Sequence, residues 1–197
     1  MTYEEKTYWN QRYAVDPSSG CGSEDEELNF KTVFIRDIMV KYKVSSIHDL
    51  GVGNAALASR LWLDLPPGGT YTGDDISSVR TLLNQEKYPH PLVTFRTRDI
   101  TSDERDVPRD MGLCIDVLFH LSTPEKHQRA VQALCRSFTT VAVVAAWNAG
   151  VLQQYPRLAS HCFFRPFLPP DGVTVVEERV LPMNSVKTLF VLCRAPS

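Results

Sequence analysis

Carboxylates that follow predicted strands are the residues of this chain best placed to do chemistry. Asp49, Asp75, Asp99 and Asp116 each lie at or just beyond the end of a different apolar segment. The carboxyl ends of parallel strands meet at one edge of a sheet, and ligands of open α/β sheets bind there. Any one aspartate alone would equally fit a loop or a helix cap. The four together predict one ligand site.

A glycine-containing turn follows the first of these strands, in the sequence Asp49-Leu-Gly-Val-Gly-Asn-Ala-Ala56. Gly51 permits a tight turn, and Gly53 lets the backbone approach a ligand with no Cβ in the way. Ala55 is small enough for the next helix to pack closely. By itself such a turn is weak evidence, because it also occurs by chance and in several nucleotide-binding folds.

A second signal is Asp75, which lies 24 residues after Gly51. An acidic side chain about 20 residues beyond such a turn accepts hydrogen bonds from ribose hydroxyls. The preceding Asp74 points to the opposite face of its strand, so only one of the two can do this. Asp99, in Arg98-Asp-Ile100, is placed to accept a hydrogen bond from an adenine amino group.

His120 is the candidate general base, because an imidazole titrates near neutral pH and this one follows the edge of the fourth strand. The alternative is a histidine at a helix start that only packs beside the site. Asp116 either contacts an amino group of the ligand or is itself the base, and we favour the contact. Trp9 and Tyr13 either cover the site or anchor the amino-terminal segment by aromatic packing.

Hydrophobic periodicity predicts the elements that must position these residues. Residues 1–23 are polar and aromatic and end in a loop, with no helix predicted. Helices are predicted at 26–43, 55–65, 77–85 (capped by Ser77 or Ser78) and 123–137 (capped by Thr123). Strands are predicted at 45–50, 70–75, 92–96, 111–118, 140–146, 173–181 and 188–193.

The last two strands leave no room for a helix between them, so they form an antiparallel hairpin. Alternating strands and helices followed by this hairpin predict a Rossmann-like three-layer α/β sandwich with a mostly parallel, seven-stranded sheet. We expect a single domain over 1–197, with 1–25 as a lid-like segment and 26–197 as the core. The irregular stretch 148–170 is either a substrate-side loop or a plain connection to the hairpin.

Composition bounds the function. A net charge of −2 with dispersed Lys and Arg makes nucleic acid an improbable main partner. The five cysteines are widely spaced and form no CxxC pair, so we expect no metal site; Cys114, Cys135 and Cys193 have the apolar neighbours of core residues. The first residues contain no apolar segment and no stretch is long enough to span a membrane, so we expect a cytoplasmic protein without a membrane partner.

With these motifs in hand, the chain resembles the class I S-adenosylmethionine-dependent methyltransferases over nearly its whole length. Residues 49–54 resemble the glycine motif of that family, and residues 71–77 resemble its acidic strand end, which favours Asp75 over Asp74. Residues 98–101 resemble the adenine-contacting segment. Residues 114–121 resemble the segment beside the methyl group.

A narrower similarity links residues 8–13, 19–23 and Phe30-Lys31 to the lead-in of small bacterial-type methyltransferases, which is expected to fold over the cofactor. Position 55 is a departure, because the family usually has glycine there. The resemblance implies S-adenosylmethionine as cofactor, with these contacts: Trp9, Tyr13, Asp49, Gly51, Gly53, Asn54, Asp75, Ile76, Asp99, Ile100 and Asp116.

The resemblance implies methyl transfer to a small-molecule acceptor, by analogy a sugar or natural-product hydroxyl. The acceptor site would come from the amino-terminal segment, from 148–170, or from a second subunit in a homodimer. Three alternatives stay open: a degenerate protein that binds cofactor without turnover, an RNA or protein methyltransferase, and a nicotinamide-dependent oxidoreductase. The last is disfavoured because the full GxGxxG is missing.

Overall fold

A computed structural model of the chain describes residues 4–20, 24–151 and 165–195. Short 3-10 turns follow α3 at Trp62–Asp64 and β4 at Leu118–His120. The helices and strands, in chain order, are α1 Glu5–Val15, α2 Asp25–Tyr42, β1 Ser46–Leu50, α3 Ala58–Leu61, β2 Thr70–Asp75, α4 Ser78–Lys87, β3 Val93–Thr97, β4 Arg109–Ile115, α5 Pro124–Ser137, β5 Phe138–Trp147, β6 Val173–Leu181 and β7 Asn184–Arg194.

The seven strands form one sheet in the order β3-β2-β1-β4-β5-β7-β6. All pairs from β3 to β5 are parallel, whereas β7 runs antiparallel to both β5 and β6. The predicted mostly parallel sheet with a carboxyl-terminal antiparallel hairpin is therefore confirmed. The chain adds β2 and β3 on one side of β1 and then crosses back to add β4 and β5 on the other side. The place between β1 and β4 is therefore the switch point, where open α/β sheets bind ligands.

Hydrophobic cores lie on both faces of the sheet, so the architecture has three layers. In β5, Val141, Val143 and Ala145 belong to the core beneath α2 and α3. The alternate residues of the same strand, Ala142, Val144 and Ala146, belong to the core beneath α5. A continuous apolar strand is what burial on both faces requires.

The main error of the sequence-based prediction is that it placed no helix in residues 1–23. Residues Glu5–Val15 form α1, and the side chain of Glu4 caps it by accepting hydrogen bonds from Lys6 N at 3.3 Å and Thr7 N at 2.7 Å. The missed signal is the spacing of four that puts Glu5, Trp9 and Tyr13 on one helical face. That face carries few aliphatic residues, which is why hydrophobic periodicity overlooked it.

Two further boundaries differ from the prediction because of positive φ angles. The first crossover helix begins at Ala58 because Ala55 has φ +56°, a left-handed conformation that ends any helix running back through it. Strand β4 ends at Ile115, since Asp116 also has positive φ, at +61°. Residues 98–108, between β3 and β4, contain no helix, and none was predicted there.

Some predictions concern segments that the structure describes only in part. Most of 148–170, at 152–164, lies outside the described residues, as do Cys21 and Cys162. Cys114 is fully buried as expected, whereas Cys135 and Cys193 are only half-buried. Within the described ranges, no helix combines the length and apolar character needed to cross a membrane.

Helix α5 packs closely on β4 because Gly112 has no side chain. A Cβ at Gly112 would lie 2.5 Å from Ser137 Oγ and 3.1 Å from Leu134 Cδ1. Gly112→Ala is expected to lower the free energy of unfolding by about 1–3 kcal/mol through overpacking. In a Ser137→Ala background the same substitution should cost less, because the nearest atom is gone. Urea unfolding of the four proteins measures this coupling, and equal costs in both backgrounds would contradict the packing argument.

Candidate functional site

One cavity opens at the carboxyl ends of β1, β2 and β4, with about 960 Å³ of empty space including its mouth. It lies at the switch point of the sheet, where the strand order predicts a ligand site. Every predicted site residue lines it: Trp9, Tyr13, Asp49, Gly51, Gly53, Asn54, Asp75, Ile76, Asp99, Ile100, Asp116 and His120.

The glycine turn forms one wall of the cavity. Gly51 and Gly53 have φ of +88° and +54°, a region that favours glycine. A Cβ on Gly51 would overlap the side chain of Val117, and one on Gly53 would lie 2.6 Å from Ser19 Oγ. The turn is thus packed tightly against the segment after β4 and the loop after α1. Glycine is therefore needed at both positions to avoid collisions with these neighbours, whether or not a ligand is bound.

Asp75, at the end of β2, is buried against this turn. Its Oδ2 accepts a hydrogen bond from Gly53 N and its Oδ1 one from Ser77 N, both at 2.9 Å. Burial nevertheless raises the pKa of Asp75 to about 6, because these bonds and the positive charge of Arg80 only partly replace water. The carboxylate therefore still gains from additional hydrogen-bond donors.

Asp74 points to the other face of the sheet, as strand alternation predicts. Arg96 Nε donates to Asp74 Oδ1 at 2.8 Å, and His48 Nε2 lies 2.8 Å from Asp74 Oδ2. Burial alone would raise the pKa of Asp74, but these hydrogen bonds outweigh it and lower the pKa. Asp106 joins the same cluster through Arg96 and Arg98. Although His48, Asp74 and Asp106 are close enough to chelate a cation, the two arginines already neutralise these carboxylates.

Asp49 and Asp99 both line the cavity but differ in burial. Asp49 is deeply buried, and burial raises its pKa to about 6 even though Tyr71 donates a hydrogen bond to it. Asp99 is exposed at the mouth, where its Oδ1 accepts from Thr101 N at 2.8 Å and from Thr101 Oγ1 at 2.7 Å. The adjacent Ile100 is buried and gives this end an apolar wall.

Helix α1 and the loop that follows it, residues 5–20, cover the cavity and are called the lid below. At one end, the Glu5 carboxylate accepts hydrogen bonds from Ser122 N at 2.9 Å and from the Lys126 ammonium. Burial pushes the pKa of Glu5 upward, but these bonds outweigh it and hold the pKa at about 2. The Glu5 carboxylate therefore stays charged at physiological pH. Its hydrogen bonds join the lid to the start of α5.

Two further contacts secure the lid on the opposite side of the cavity. Asn10 Oδ1 accepts a hydrogen bond from Ser77 Oγ at 2.8 Å, which joins the lid to the start of α4. Ser19 Oγ lies 3.0 Å from Tyr13 Oη and accepts from Asn54 N at 2.7 Å, which joins the lid to the glycine turn. The sequence showed Trp9 and Tyr13 as lid candidates, but these polar contacts were not predicted.

His120 ends the 3-10 turn after β4 and lies among aromatic rings. The ring of Trp9 meets it edge-on at 5.0 Å, and the ring of Phe119 lies 4.7 Å away. Burial lowers the pKa of His120 to about 4, an effect larger than the opposing attraction of Asp116. The imidazole is therefore neutral at physiological pH, and in the ligand-free site it is a weaker base than an exposed imidazole.

Asp116 belongs to a cluster of four charged side chains that the sequence did not predict. Lys31 donates a hydrogen bond to Asp116 Oδ2, and Lys187 Nζ lies 3.1 Å from Asp116 Oδ1. Both ammonium groups also lie 2.6 Å from Glu27 Oε1. Lys31 is 1% exposed and lines the cavity beside Asp116. Asp116 is thus already paired, which makes it a poorer candidate for a base than His120.

Comparisons with known proteins give structural matches only; no protein-family profile and no curated protein sequence matches the chain. The N-methyltransferase NodS from Bradyrhizobium japonicum WM9, solved with S-adenosyl-l-homocysteine, gives a TM-score of 0.71 at 13% identity, covering 98% of each chain. CcbJ methyltransferase from Streptomyces caelestis also gives 0.71, at 16% identity, covering 98% of this chain and 100% of its own. Magnesium protoporphyrin IX methyltransferase from Synechocystis PCC 6803, with bound SAM, gives 0.67 at 13% identity, covering 98% and 99%.

The buried carboxyl of Asp75 predicts a pH dependence of stability. Its pKa is about 6 in the fold and 3.8 as the ordinary value, so the folded state binds the proton more tightly and gains stability as the pH falls through this range. From about pH 7.5 to about pH 4.5, wild type should gain about 2 kcal/mol relative to Asp75→Asn. His120 and His127, with pKa values lowered to about 4 by burial, lose stability over this range in both proteins.

The measurement is the free energy of unfolding in urea at several pH values for both proteins. Because the histidine contributions are common to the two, their difference isolates the carboxyl at position 75. A difference that stays constant with pH would contradict a raised pKa for Asp75.

Proposed function

We propose, on the premise that this chain has the fold of the class I S-adenosylmethionine-dependent methyltransferases, that it binds this cofactor and transfers its methyl group to a small-molecule acceptor. The observation that carries the proposal is the convergence of the glycine turn and all four strand-end aspartates on one cavity. Structural neighbours that cover nearly the whole chain and hold SAM or S-adenosyl-l-homocysteine support it.

The residues of the cavity fit such a cofactor. Asp75 would accept hydrogen bonds from the ribose hydroxyls, because its buried carboxylate lacks full compensation for lost water. Asp99 would accept from the adenine amino group beside the apolar wall of Ile100. The turn at Gly51 and Gly53 would allow close backbone approach. The remaining predicted contacts are Trp9, Tyr13, Asp49, Asn54, Ile76 and Asp116.

Asp116 would face the amino group at the methionine end of the cofactor. Lys31 and Lys187 keep this carboxylate ion-paired, and its Oδ1 atom is buried without a well-formed hydrogen bond. A buried acceptor of this kind gains from a further N–H donor. We therefore assign Asp116 to binding.

When bound, the cofactor would supply an electrophilic methyl group, which an acceptor oxygen would attack in line as the C–S bond breaks and S-adenosylhomocysteine leaves. His120 is proposed as the base that takes the hydroxyl proton of the acceptor. Its buried imidazole is neutral at physiological pH and therefore needs no prior deprotonation. The lid would exclude water from this region by packing Trp9 against the imidazole ring.

The acceptor is proposed to be a small hydroxylated molecule, such as a sugar or natural product. Leu28, Trp9 and Leu121 line the cavity at the lid side and offer it an apolar surface. One structural neighbour, magnesium protoporphyrin IX methyltransferase, acts on a small molecule by its name. The net charge of −2 offers no general attraction for nucleic acid.

Calorimetric titration with S-adenosylmethionine and S-adenosylhomocysteine tests cofactor binding. Wild type should bind both, and Asp75→Asn should lose at least about tenfold in affinity, because charge-assisted bonds to the hydroxyls are worth about 1.5–3 kcal/mol each. The matched control is Asp74→Asn on the opposite face. It should lower the free energy of unfolding by about 1–3 kcal/mol, because His48 and Arg96 lose a charged hydrogen-bond acceptor, with affinity within about threefold of wild type. Failure of wild type to bind either compound would contradict the proposed function.

Turnover is tested by S-adenosylhomocysteine release with a panel of sugars and hydroxylated metabolites. With an acceptor that wild type methylates, His120→Ala should lower the rate by roughly 10²–10⁴-fold, the usual contribution of a general base. Its affinity for S-adenosylhomocysteine should stay within about threefold of wild type. An unchanged rate would exclude His120 as the base. Cofactor binding without turnover of any panel member would favour the degenerate, non-catalytic alternative.

A further inference from the structure

Helix α4 has its polar and apolar faces reversed. Arg80, Thr81 and Asn84 are 4%, 3% and 0% exposed, whereas Leu82 and Leu83 are 64% and 37% exposed. A surface helix ordinarily buries an apolar stripe and exposes the polar residues. Burying a cation and an amide costs free energy unless their hydrogen bonds are made, so the buried face of α4 must be explained by its partners.

The buried side chains of α4 contact both the lid and the glycine turn. Arg80 Nη1 donates to the carbonyl oxygen of Pro17 in the lid at 3.1 Å, and Arg80 Nε donates to Asn84 Oδ1 at 3.0 Å. Asn84 Nδ2 in turn donates to the carbonyl oxygen of Gly53 at 2.8 Å. An unbroken series of hydrogen bonds therefore joins the lid to the glycine turn through α4.

The same series reaches the proposed ribose-binding carboxylate. The peptide N–H of Gly53 donates a hydrogen bond to Asp75, and the carbonyl oxygen of Gly53 accepts one from Asn84. The guanidinium of Arg80 also lies 5.7 Å from the ring centre of Tyr13, on the lid. A single buried cation thus contacts the lid at two points and fixes the turn through one intermediate.

We propose that Arg80, acting through Asn84, is a positioning residue that couples closure of the lid to the geometry of the glycine turn and thereby sets cofactor affinity. The part of this inference that concerns cofactor affinity rests on the proposed function. Arg80 is not among the residues that line the cavity, so it acts through Gly53, Pro17 and Tyr13. Lysine cannot replace it, because one ammonium lacks the fork that reaches both Asn84 and Pro17.

The test compares Arg80→Met and Arg80→Lys with wild type by calorimetry and by ¹⁹F NMR of protein labelled with 5-fluorotryptophan. The chain has three tryptophans, Trp9, Trp62 and Trp147, which Trp→Phe variants assign. Arg80→Met should weaken S-adenosylhomocysteine binding roughly 10- to 100-fold, by analogy with the loss of residues that orient the ligands of a metal site. Only the Trp9 resonance, on the lid, should shift in the free protein.

Gln85→Met is the matched control, because Gln85 Nε2 anchors the same helix to the Phe95 carbonyl oxygen at 2.8 Å, away from the lid. It should leave both the affinity and the Trp9 resonance unchanged. Equal changes in Gln85→Met would overturn the proposal in favour of general loosening of α4, and so would unchanged affinity and Trp9 resonance in Arg80→Met. If Arg80→Met does not fold, the smaller loss expected for Arg80→Lys decides between these outcomes.

The two arms separate this inference from the proposed function. If wild type binds no S-adenosylhomocysteine, the proposed function fails, and the Trp9 resonance of the free variants still tests the coupling. If wild type binds and Arg80→Met binds equally well, the coupling fails while the proposed function stands.

Discussion

The hydrogen bond from Gly53 N to Asp75 is the contact on which the site depends. It joins the turn after β1 to the end of β2, and it forms only because Gly53 has a positive φ and no Cβ. The tight turn brings Ser19 of the lid against the same glycine, where a side chain would collide. The cavity wall, the buried carboxylate and the lid contact are thus consequences of one turn. The parallel register of β1 and β2, which pairs Leu50 with Asp74, fixes where that turn lies.

The buried carboxylates around the cavity are stabilised in two different ways. Asp74 and Asp116 are paired with basic side chains, which offset the free-energy cost of burying a carboxylate. Asp49 and Asp75 have no such direct cation, and burial raises the pKa of each to about 6. Asp74 suits a structural role, because Arg96 donates to both of its oxygens, whereas the Oδ1 atom of Asp116 lacks a well-formed hydrogen bond and can accept one from a ligand. Carboxylates that lack pairing retain free energy to gain from hydroxyl or amino donors, which is what a binding site requires.

The parts of this site that follow from local pattern could be predicted from the sequence. Strand ends place Asp75 at the cavity, strand alternation directs Asp74 away from it, and parallel strands bring both regions to one edge. Residues identified by long-range contact could not be predicted this way. Lys31 and Lys187 are far apart in the chain and meet only through Glu27 and Asp116. Nothing in the apolar periodicity of α2 or β7 distinguishes these lysines from surface residues.

The lid shows the same division between local and long-range information. The aromatic residues of 8–13 were visible in the sequence, yet the helix that carries them was not, since its contacts are mostly polar. Glu5 reaches the start of α5 and Asn10 the start of α4, where free backbone N–H groups and capping hydroxyls gather. A lid held by a few hydrogen bonds at helix starts can open at modest cost, whereas one packed through an apolar core would open only by local unfolding. Polar attachment of the lid is therefore consistent with the proposed function, in which the cofactor would enter and leave in each turnover.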